Sequence, residues 1–577
     1  MLSPLKKAAK NDLSTLDIET DKEGGLLELA IYDGESCYHF SRWEYFLDFI
    51  QEQNDKKTYR KFVAHNGGRF DWISLVDSLP DEYRQKTEIV LSQSSIVFIL
   101  MQCFNKQVVF TDSSHVLSGS LDALSKQFDI EHKKQSDIDA SHIEWYYENA
   151  YNTFRVYLQY DVISLYEIIQ EFQKIQGINF FPITAASLAL YKFRKEFLDY
   201  DLFSQRFETS QYWDAFYDRA YAGGRVECFR PGKHKQVYTY DINSLYPTVM
   251  QDAQIPLTPG RKTKSYNKKL TGFYHIKFDQ KNINIPPLLW IKGKNGLEFV
   301  YQGEGVFYSE EIELAKKYGD LDFKVLEGVV YPKTTRIFEN YVDHYYKMRK
   351  AAQKDGSLEK CCKLMLNSLY GKFAQKSETE SIYIGTYSEV EQMKEQEKIN
   401  GYKEYNLEKA AWIVNKQRKV PHRLPHISAI ITARARCLLN WYIIQYADCV
   451  VYCDTDSVHL TRPMDQNYID QDKLGYMKQE EQGSGIYTGR KQYVIGDKIK
   501  WKGYPHKSKL GQDPLTWQDF ERIAQGQIIE KTYYTFPALK SVLTDKSKSC
   551  KINANRKKLR KQSYTTHFQP EKQEVTV

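Results

Sequence analysis

The stretch Val450-Val-Tyr-Cys-Asp-Thr-Asp-Ser-Val-His-Leu460 leaves this chain few options. β-Branched and aromatic residues lead into Asp454, and an apolar-alternating run leads out of Asp456, so the pattern predicts a β-hairpin. Two carboxylates two residues apart at its tip project to one side. Carboxylates of this kind suit a hard divalent cation, held together with substrate phosphates. An Asp-rich turn would explain the pair taken alone. A third carboxylate far upstream, with a basic helix between, favours chemistry.

The third carboxylate is Asp241, in Val237-Tyr-Thr-Tyr-Asp-Ile-Asn-Ser-Leu-Tyr-Pro-Thr-Val249, where a strand ends at the Asp and a short helix begins after it. The basic helix is Lys360-Cys-Cys-Lys-Leu-Met-Leu-Asn-Ser-Leu-Tyr-Gly-Lys372. Lys363, Asn367 and Tyr370 fall at i, i+4 and i+7, on one helical face. Ammonium, amide and phenol together can grip a triphosphate and stack on a base.

In this order the three stretches resemble the A, B and C motifs of family B DNA polymerases. Their wording is most similar to the protein-primed branch of small linear-genome phages and related mobile elements. The resemblance implies a mixed α/β fold: an RNase H-like exonuclease domain, then a right-hand polymerase of palm, fingers and thumb with two insertions. It implies replicative, template-directed addition of dNTPs with two Mg²⁺ (or Mn²⁺) ions per active site. Asp241, Asp454, Asp456 and the Ile242 carbonyl would hold them, Asp454 being the weaker candidate for direct ligation. One ion would acidify the primer hydroxyl and the other neutralise the triphosphate. Lys363 would add positive charge in the transition state. Tyr370 and Tyr246 would bound the new base pair, with Tyr246 excluding a ribose 2′-hydroxyl. Implied partners are primer-template DNA, dNTPs, a terminal protein whose hydroxyl replaces the primer 3′-OH at initiation, and a single-stranded DNA-binding protein. A monomer in the host cytoplasm, away from membranes, is expected.

A second acidic set lies near the start. Leu13-Ser-Thr-Leu-Asp-Ile-Glu-Thr20 reads as a strand with Asp17 and Glu19 on one face, followed by two strands in a meander. Phe62-Val-Ala-His-Asn-Gly-Gly-Arg-Phe-Asp-Trp72 runs strand, Gly turn, helix start and offers Asp71. Asp161 lies in a long helical stretch ending near Lys174, with Tyr157 one turn away. The set resembles the three motifs of 3′–5′ proofreading exonucleases. By that resemblance the four carboxylates hold two metals, Tyr157 orients the attacking water, and Thr20, Asn66 and Phe70 hold a frayed 3′ end. Ser113 falls where these enzymes carry a strand-binding serine, but Ser114 replaces the expected leucine, and Ser120-Leu121 competes. Where the family has a lysine before Asp137-Ile-Asp139, Gln135 stands beside Lys134. Either Lys134 shifts in to meet the scissile phosphate or the exonuclease is weakened.

Between the sets, Tyr221-Ala-Gly-Gly-Arg225 is similar to the family's YxGG element; glycines such as Gly223 and Gly224 let backbone approach a phosphate closely, and Tyr221 joins them as a DNA contact. Two helices split by Lys354-Asp-Gly-Ser357 are expected to form the fingers, with Lys350 and Lys354 as candidates for a second triphosphate ligand, one residue off the family spacing. Residues 426–447 read as a long helix backing the hairpin. Lys491-Gln-Tyr493 is similar to the K-x-Y motif that holds the primer terminus. The expected domains are 1–180 exonuclease, 181–253 connecting helix, YxGG linker and first palm part, and 254–345 first insertion, facing the priming protein. They continue with 346–374 fingers, 375–424 second insertion for strand displacement, 425–490 palm, and 491–577 K-x-Y motif and thumb. Residues 546–561 hold eight Lys or Arg and no acid, a solvated face or a grip on duplex phosphates.

Bulk properties permit this reading. Net charge is +7 over 577 residues and aromatic content is 14%, with 44 tyrosines, which leaves rings for stacking on bases. Nine scattered cysteines with no CxxC pair speak against a disulfide framework or zinc, and for a reducing compartment. No apolar run of 18 residues or signal peptide is apparent. The rival readings are a family B polymerase using ordinary primers, an exonuclease confined to residues 1–180, and a non-catalytic DNA-binding protein.

Overall fold

The computed structural model describes residues 13–22, 25–53, 57–78, 87–92, 95–103, 106–133, 138–139, 142–198, 211–293, 296–354, 356–406, 410–417, 420–504, 514–535, 553–562 and 566–568. Lys134 and Gln135, and residues 546–552 of the basic run, lie outside them.

Strands Ser14–Thr20, Leu26–Tyr32 and Cys37–Phe40 form the expected antiparallel meander. Lys61–Ala64 joins the first strand in parallel, and Lys106–Asp112 joins that one in parallel in turn. The sheet then continues antiparallel through Ser95–Cys103 and Thr87–Ser92. Helix Tyr151–Gln176 packs across it, because its apolar stripe includes Phe154, Leu158, Val162 and Leu165, all buried. The Thr15 hydroxyl donates to the Val162 carbonyl at 2.7 Å, which pins the helix beside the first strand.

The sheet does not stop at Thr87–Ser92. Strand Glu378–Ile384, from the stretch expected to be a separate second insertion, pairs with it and carries Ala411–Gln417 and Gly401–Asn406 outward, making ten strands. Glu88 cements the junction: its buried carboxylate accepts from the Ser381 hydroxyl at 2.9 Å and from Lys416 Nζ at 2.6 Å. The insertion hairpin is therefore built onto the N-terminal domain.

A second, seven-stranded antiparallel sheet carries the other acidic set, in the order Lys498–Trp501, Gln492–Ile495, Met477–Gly489, Gly232–Ile242, Ser457–Leu460, Val450–Asp454, Val226–Cys228. Val450 to Cys453 are all buried, which is why that strand is apolar throughout rather than alternating. The two K-x-Y strands, grouped with the thumb from the sequence, belong to this sheet. The paired helices are Glu339–Ala351 and Ser357–Lys372. A four-stranded sheet (Arg261–Thr263, Leu321–Tyr331, Thr271–Gln280, Gln302–Tyr308) with helix Ser309–Gly319 makes up most of residues 254–345, the stretch expected to be the first insertion.

Helix Pro425–Gln445 backs the seven-stranded sheet, as expected. By length and composition it also passes as a membrane span, although Arg434 and Arg436 interrupt its apolar run; 72% of that span is buried inside the protein. Both arginines are neutralised, Arg434 by Asp252 and Glu310 and the fully buried Arg436 by Glu311. It is a core helix.

Candidate active site

Asp241 ends the strand Gly232–Ile242, and Asp456 lies in the turn after Val450–Asp454. The Ile242 N–H donates to the Asp456 carbonyl at 2.7 Å, so residues more than two hundred positions apart are locked side by side. Burial raises the pKa of both carboxyls. That of Asp456 is pushed up to about 7 by burial first, then by the charge of Asp241, with Asp454 adding and Lys363 drawing it back. For Asp241 the largest cause after burial is Glu480. Neighbouring carboxylates thus make each of the two harder to ionise.

Asp454 is placed differently. Lys491 Nζ stands 2.9 Å from both its carboxylate oxygens, and the Thr455 hydroxyl bonds it at 3.2 Å. Among the described residues, the three aspartates do not form a tight cluster of the kind made by the exonuclease-like set. The pairing gives Lys491 of the K-x-Y element a partner that sequence reasoning missed.

The turn itself is tight. Thr455 adopts φ +63°, unusual for a β-branched residue. Its N–H donates to the Arg225 carbonyl at 2.8 Å, and a Cβ on Gly224 would lie 2.8 Å from Thr455 Cγ2 and 2.9 Å from its Cα. The close approach that Gly224 permits is thus to the Asp454–Asp456 turn. Gly223 is exposed, and a Cβ there would meet nothing within 4 Å, leaving it open to a ligand. Buried arginines fix the segment: Arg436 donates to the Ala222 and Gly223 carbonyls, and Arg225 pairs with Glu227 at 2.6 Å and stacks 4.0 Å over Phe299.

Two clefts meet at Asp241, Asp456 and Glu480. The larger, of about 860 Å³, is lined by Tyr246, Arg349, Lys350, Lys354, Lys363, Asn367 and Lys478. Lys363 and Asn367 are exposed on the predicted helix face. Tyr370 stacks on Tyr246 with ring centroids 4.5 Å apart and planes 21° apart. Burial, then Tyr246 and Tyr221, raise the Tyr370 hydroxyl pKa, so the YxGG tyrosine belongs to the same cluster. Arg349, which sequence reasoning passed over in favour of its neighbour Lys350, donates to the Ser244 hydroxyl at 3.1 Å and pairs with Glu359. The smaller cleft, of about 420 Å³, is lined by Asp454, Lys491, Tyr493, Lys498 and Lys500.

In the N-terminal domain, Asp17, Glu19 and Asp161 bring their carboxylate oxygens within 4.8 Å of one another. Asp71 starts a helix beside them. It accepts its own and the Ile18 N–H, yet burial drives its pKa up to about 7, with Asp112 adding to the rise. Its Oδ1 is buried with no hydrogen-bond partner among the described residues. Tyr157 is buried one turn from Asp161. Phe70 is 47% exposed, while Thr20 and Asn66 are half-buried, Asn66 at φ +64°. Sequence reasoning missed Asp112, whose carboxylate accepts from the Asn66, Gly68 and Ser114 N–H groups at 2.8–3.0 Å and so shapes the turn that delivers Asp71. An Asp before two serines is the available signal, since Asp side chains hydrogen-bond backbone just ahead of them.

Ser113 is turned inward. It is fully buried, and its hydroxyl bonds the Ala64 carbonyl at 3.1 Å and His65 Nδ1 at 2.8 Å. It braces the Gly turn. Ser120, the competitor, is exposed and caps helix Leu121–Phe128.

Residues 51–156 and 147–473 match the family model of organellar and viral type B DNA polymerase. The chain belongs to that family. It is similar to a probable DNA polymerase of Ascobolus immersus, 25% identical over 90% of this chain and 49% of the relative. It is also similar to the DNA-directed DNA polymerase of Enterobacteria phage PRD1, 28% identical over 82% and 79%. The chain spans about half the length of the first curated relatives it matches. In fold it matches phi29 DNA polymerase complexed with primer-template DNA and incoming nucleotide, with a TM-score of 0.71 over 95% of this chain and 99% of that one, at 19% identity. The fold of phi29 DNA polymerase is thus the fold of this chain.

Proposed function

We propose that this type B chain is a DNA-directed DNA polymerase with 3′–5′ proofreading, strand displacement and protein-primed initiation. The observation that carries the reading is the convergence of Asp241 and Asp456, hydrogen-bonded through neighbouring backbone, where two cation-lined clefts meet. Incoming dNTP occupies the larger cleft, its triphosphate among Lys350, Lys363 and Arg349 and its base pair against the Tyr246–Tyr370 stack. The primer terminus occupies the smaller one, where Lys491 and Tyr493 hold it and the Lys498 and Lys500 ammonium groups screen its phosphates.

The donor sets fit divalent cations: two carboxylates with raised pKa and the Ile242 carbonyl at one site, and at the other Asp17, Glu19 and Asp161 beside a buried, unpartnered Asp71 oxygen. Bound there, divalent ions supply a more acidic hydroxyl or water and charge neutralisation on the reacting phosphate. Lys363 adds a fixed positive charge where the leaving pyrophosphate develops. Tyr246 closes the sugar side of the cleft against a ribose 2′-hydroxyl. At the proofreading site Tyr157 orients the water, and Thr20, Asn66 and exposed Phe70 hold the unpaired end by stacking and hydrogen bonds. A terminal protein, a single-stranded DNA-binding protein and an intracellular host setting complete the reading, supported by resemblance to phage polymerases such as that of PRD1.

The test is extension on a primed single-stranded circle with dNTPs and Mg²⁺, with and without a blocking downstream strand. Products longer than one circle are expected. Absence of any extension by the intact protein overturns the polymerase reading, and arrest at the block removes strand displacement from it.

A further inference from the structure

Across the larger cleft from the catalytic carboxylates, the Lys350 ammonium is paired with Asp472, and both line the cleft. We propose that Asp472 is an acidic gate which sets nucleotide affinity: it holds Lys350 when the cleft is empty, and an incoming triphosphate must take that ammonium from it. The proposal deepens the polymerase reading of this cleft and rests on it.

The position of Asp472 is built. Asn243, two residues after Asp241, ties down the loop that carries it: its N–H donates to the Tyr476 carbonyl at 2.9 Å, its carbonyl accepts from Gly475 at 3.0 Å, and Nδ2 donates to the Asp470 carbonyl at 2.6 Å. Asp470 Oδ1 then accepts the N–H groups of Asp472 and Lys473, each at 2.9 Å, a turn that points Asp472 outward. Gly475, at φ +78°, lies so close to the helix after Asp241 that a Cβ would be 2.7 Å from Thr248 Cγ2. From the fingers side, the Tyr346 hydroxyl donates to the Asp472 carbonyl at 2.7 Å, and Lys350, one helical turn on, takes the carboxylate. The same backbone that sets Asp241 therefore sets the gate.

Charge makes it displaceable. The pair is exposed, 47% at Lys350 and 81% at Asp472, so water screens it and its strength is modest. A triphosphate brings several charges and multiple oxygens to one ammonium and outcompetes a single carboxylate. Arg349 and Lys478 are paired with Glu359 and Glu480, whereas Lys363 has no ion pair among the described residues. Lys363 is thus open to a phosphate from the outset, and Lys350 is released as the cleft fills.

The experiment titrates the intact protein with inorganic tripolyphosphate by calorimetry, in the wild type, D472N, K350A and the double variant, alongside steady-state dNTP incorporation. D472N is expected to tighten tripolyphosphate binding, and to raise kcat/KM for dNTP, by roughly two- to five-fold, the scale of an exposed ion pair. In the K350A background the gain is expected to vanish. Damage to the fold would move affinity the other way, so misfolding cannot mimic the result. Unchanged or weaker binding in D472N overturns the gate, as does an equal gain with Lys350 removed, which would mean a through-space charge effect alone. Wild-type protein that binds tripolyphosphate in this pattern but never extends a primer keeps the gate and overturns the polymerase reading.

Discussion

Replacing Gly224 with alanine puts a methyl group in place of one hydrogen beside the Asp454–Asp456 turn, and the cost can be worked from distances. The new Cβ would sit 2.8 Å from Thr455 Cγ2, 2.9 Å from its Oγ1 and 2.9 Å from its Cα. Ordinary contact begins near ~3.4 Å, so the turn or the glycine strand must yield by about 0.6 Å. Rotating the Thr455 side chain relieves two of the contacts but leaves the one to Cα, so backbone has to move. That backbone is the link between Asp454 and Asp456, held at φ +63° and tied to Arg225. A misplacement approaching 1 Å at reacting groups costs on the order of 10²-fold in rate, so a 0.6 Å shift is expected to lower kcat roughly 10- to 100-fold. Overpacking costs about 1–3 kcal/mol of stability, less than would unfold the chain.

The assay is single-nucleotide incorporation under single-turnover conditions, with thermal melting in parallel. Gly223→Ala is the control, because its Cβ would enter open space; it is expected to keep kcat within a few-fold. Thr455→Gly in the Gly224→Ala background removes two of the three clashes and suits the positive φ, and should recover part of the lost rate. The reasoning fails if Gly224→Ala retains wild-type kcat, or if Gly223→Ala slows incorporation as much.

Asp241→Ala should abolish primer extension while leaving degradation of single-stranded DNA intact, and Asp17→Ala with Asp161→Ala should do the reverse; loss of both activities in either variant would show that the two acidic sets are not separate sites. Asp456 and Asp71 have folded pKa values near 7, above the unfolded carboxyl range. The folded chain therefore keeps protons that the unfolded chain has released between about pH 4 and 7, and stability without metal should fall as pH rises through that window. Mg²⁺ competes with those protons, so its effect on Tm should be small at pH 5.5 and larger at pH 8; melts with EDTA or Mg²⁺ at both pH values check this, and a pH-independent Mg²⁺ effect would refute it. Glu88→Gln leaves the Lys416 ammonium without its counter-charge at the junction of the insertion hairpin and should destabilise the fold by about 2–3 kcal/mol in urea titration, against about 1 kcal/mol for Ser381→Ala. Equal effects would mean the charge is not what secures the hairpin.

What the sequence made legible was local. The hairpin around Asp454, the strand ending at Asp241 and the face shared by Lys363, Asn367 and Tyr370 follow from periods of two and 3.6, which need no knowledge of neighbours. What it hid depends on partners that meet only in the fold. Lys416 and Glu88 are 328 positions apart, so nothing in a Glu- and Lys-rich insertion shows that its strands extend the N-terminal sheet. A motif fixes where Ser113 lies along the chain but not which way it faces, and here it turns inward to the Ala64 carbonyl. The glycines show the same limit: their spacing suggested room for a phosphate, whereas Gly224 makes room for Thr455. Lys491, Asp454, Thr455, Gly224 and Arg225 form one continuous run of contacts, from the smaller cleft to a buried ion pair. A carboxylate pair at the tip of a hairpin would flex by itself. Placement tight enough for catalysis comes from packing a glycine strand against that tip, which is why these residues are so constrained while their reason stays invisible in the sequence.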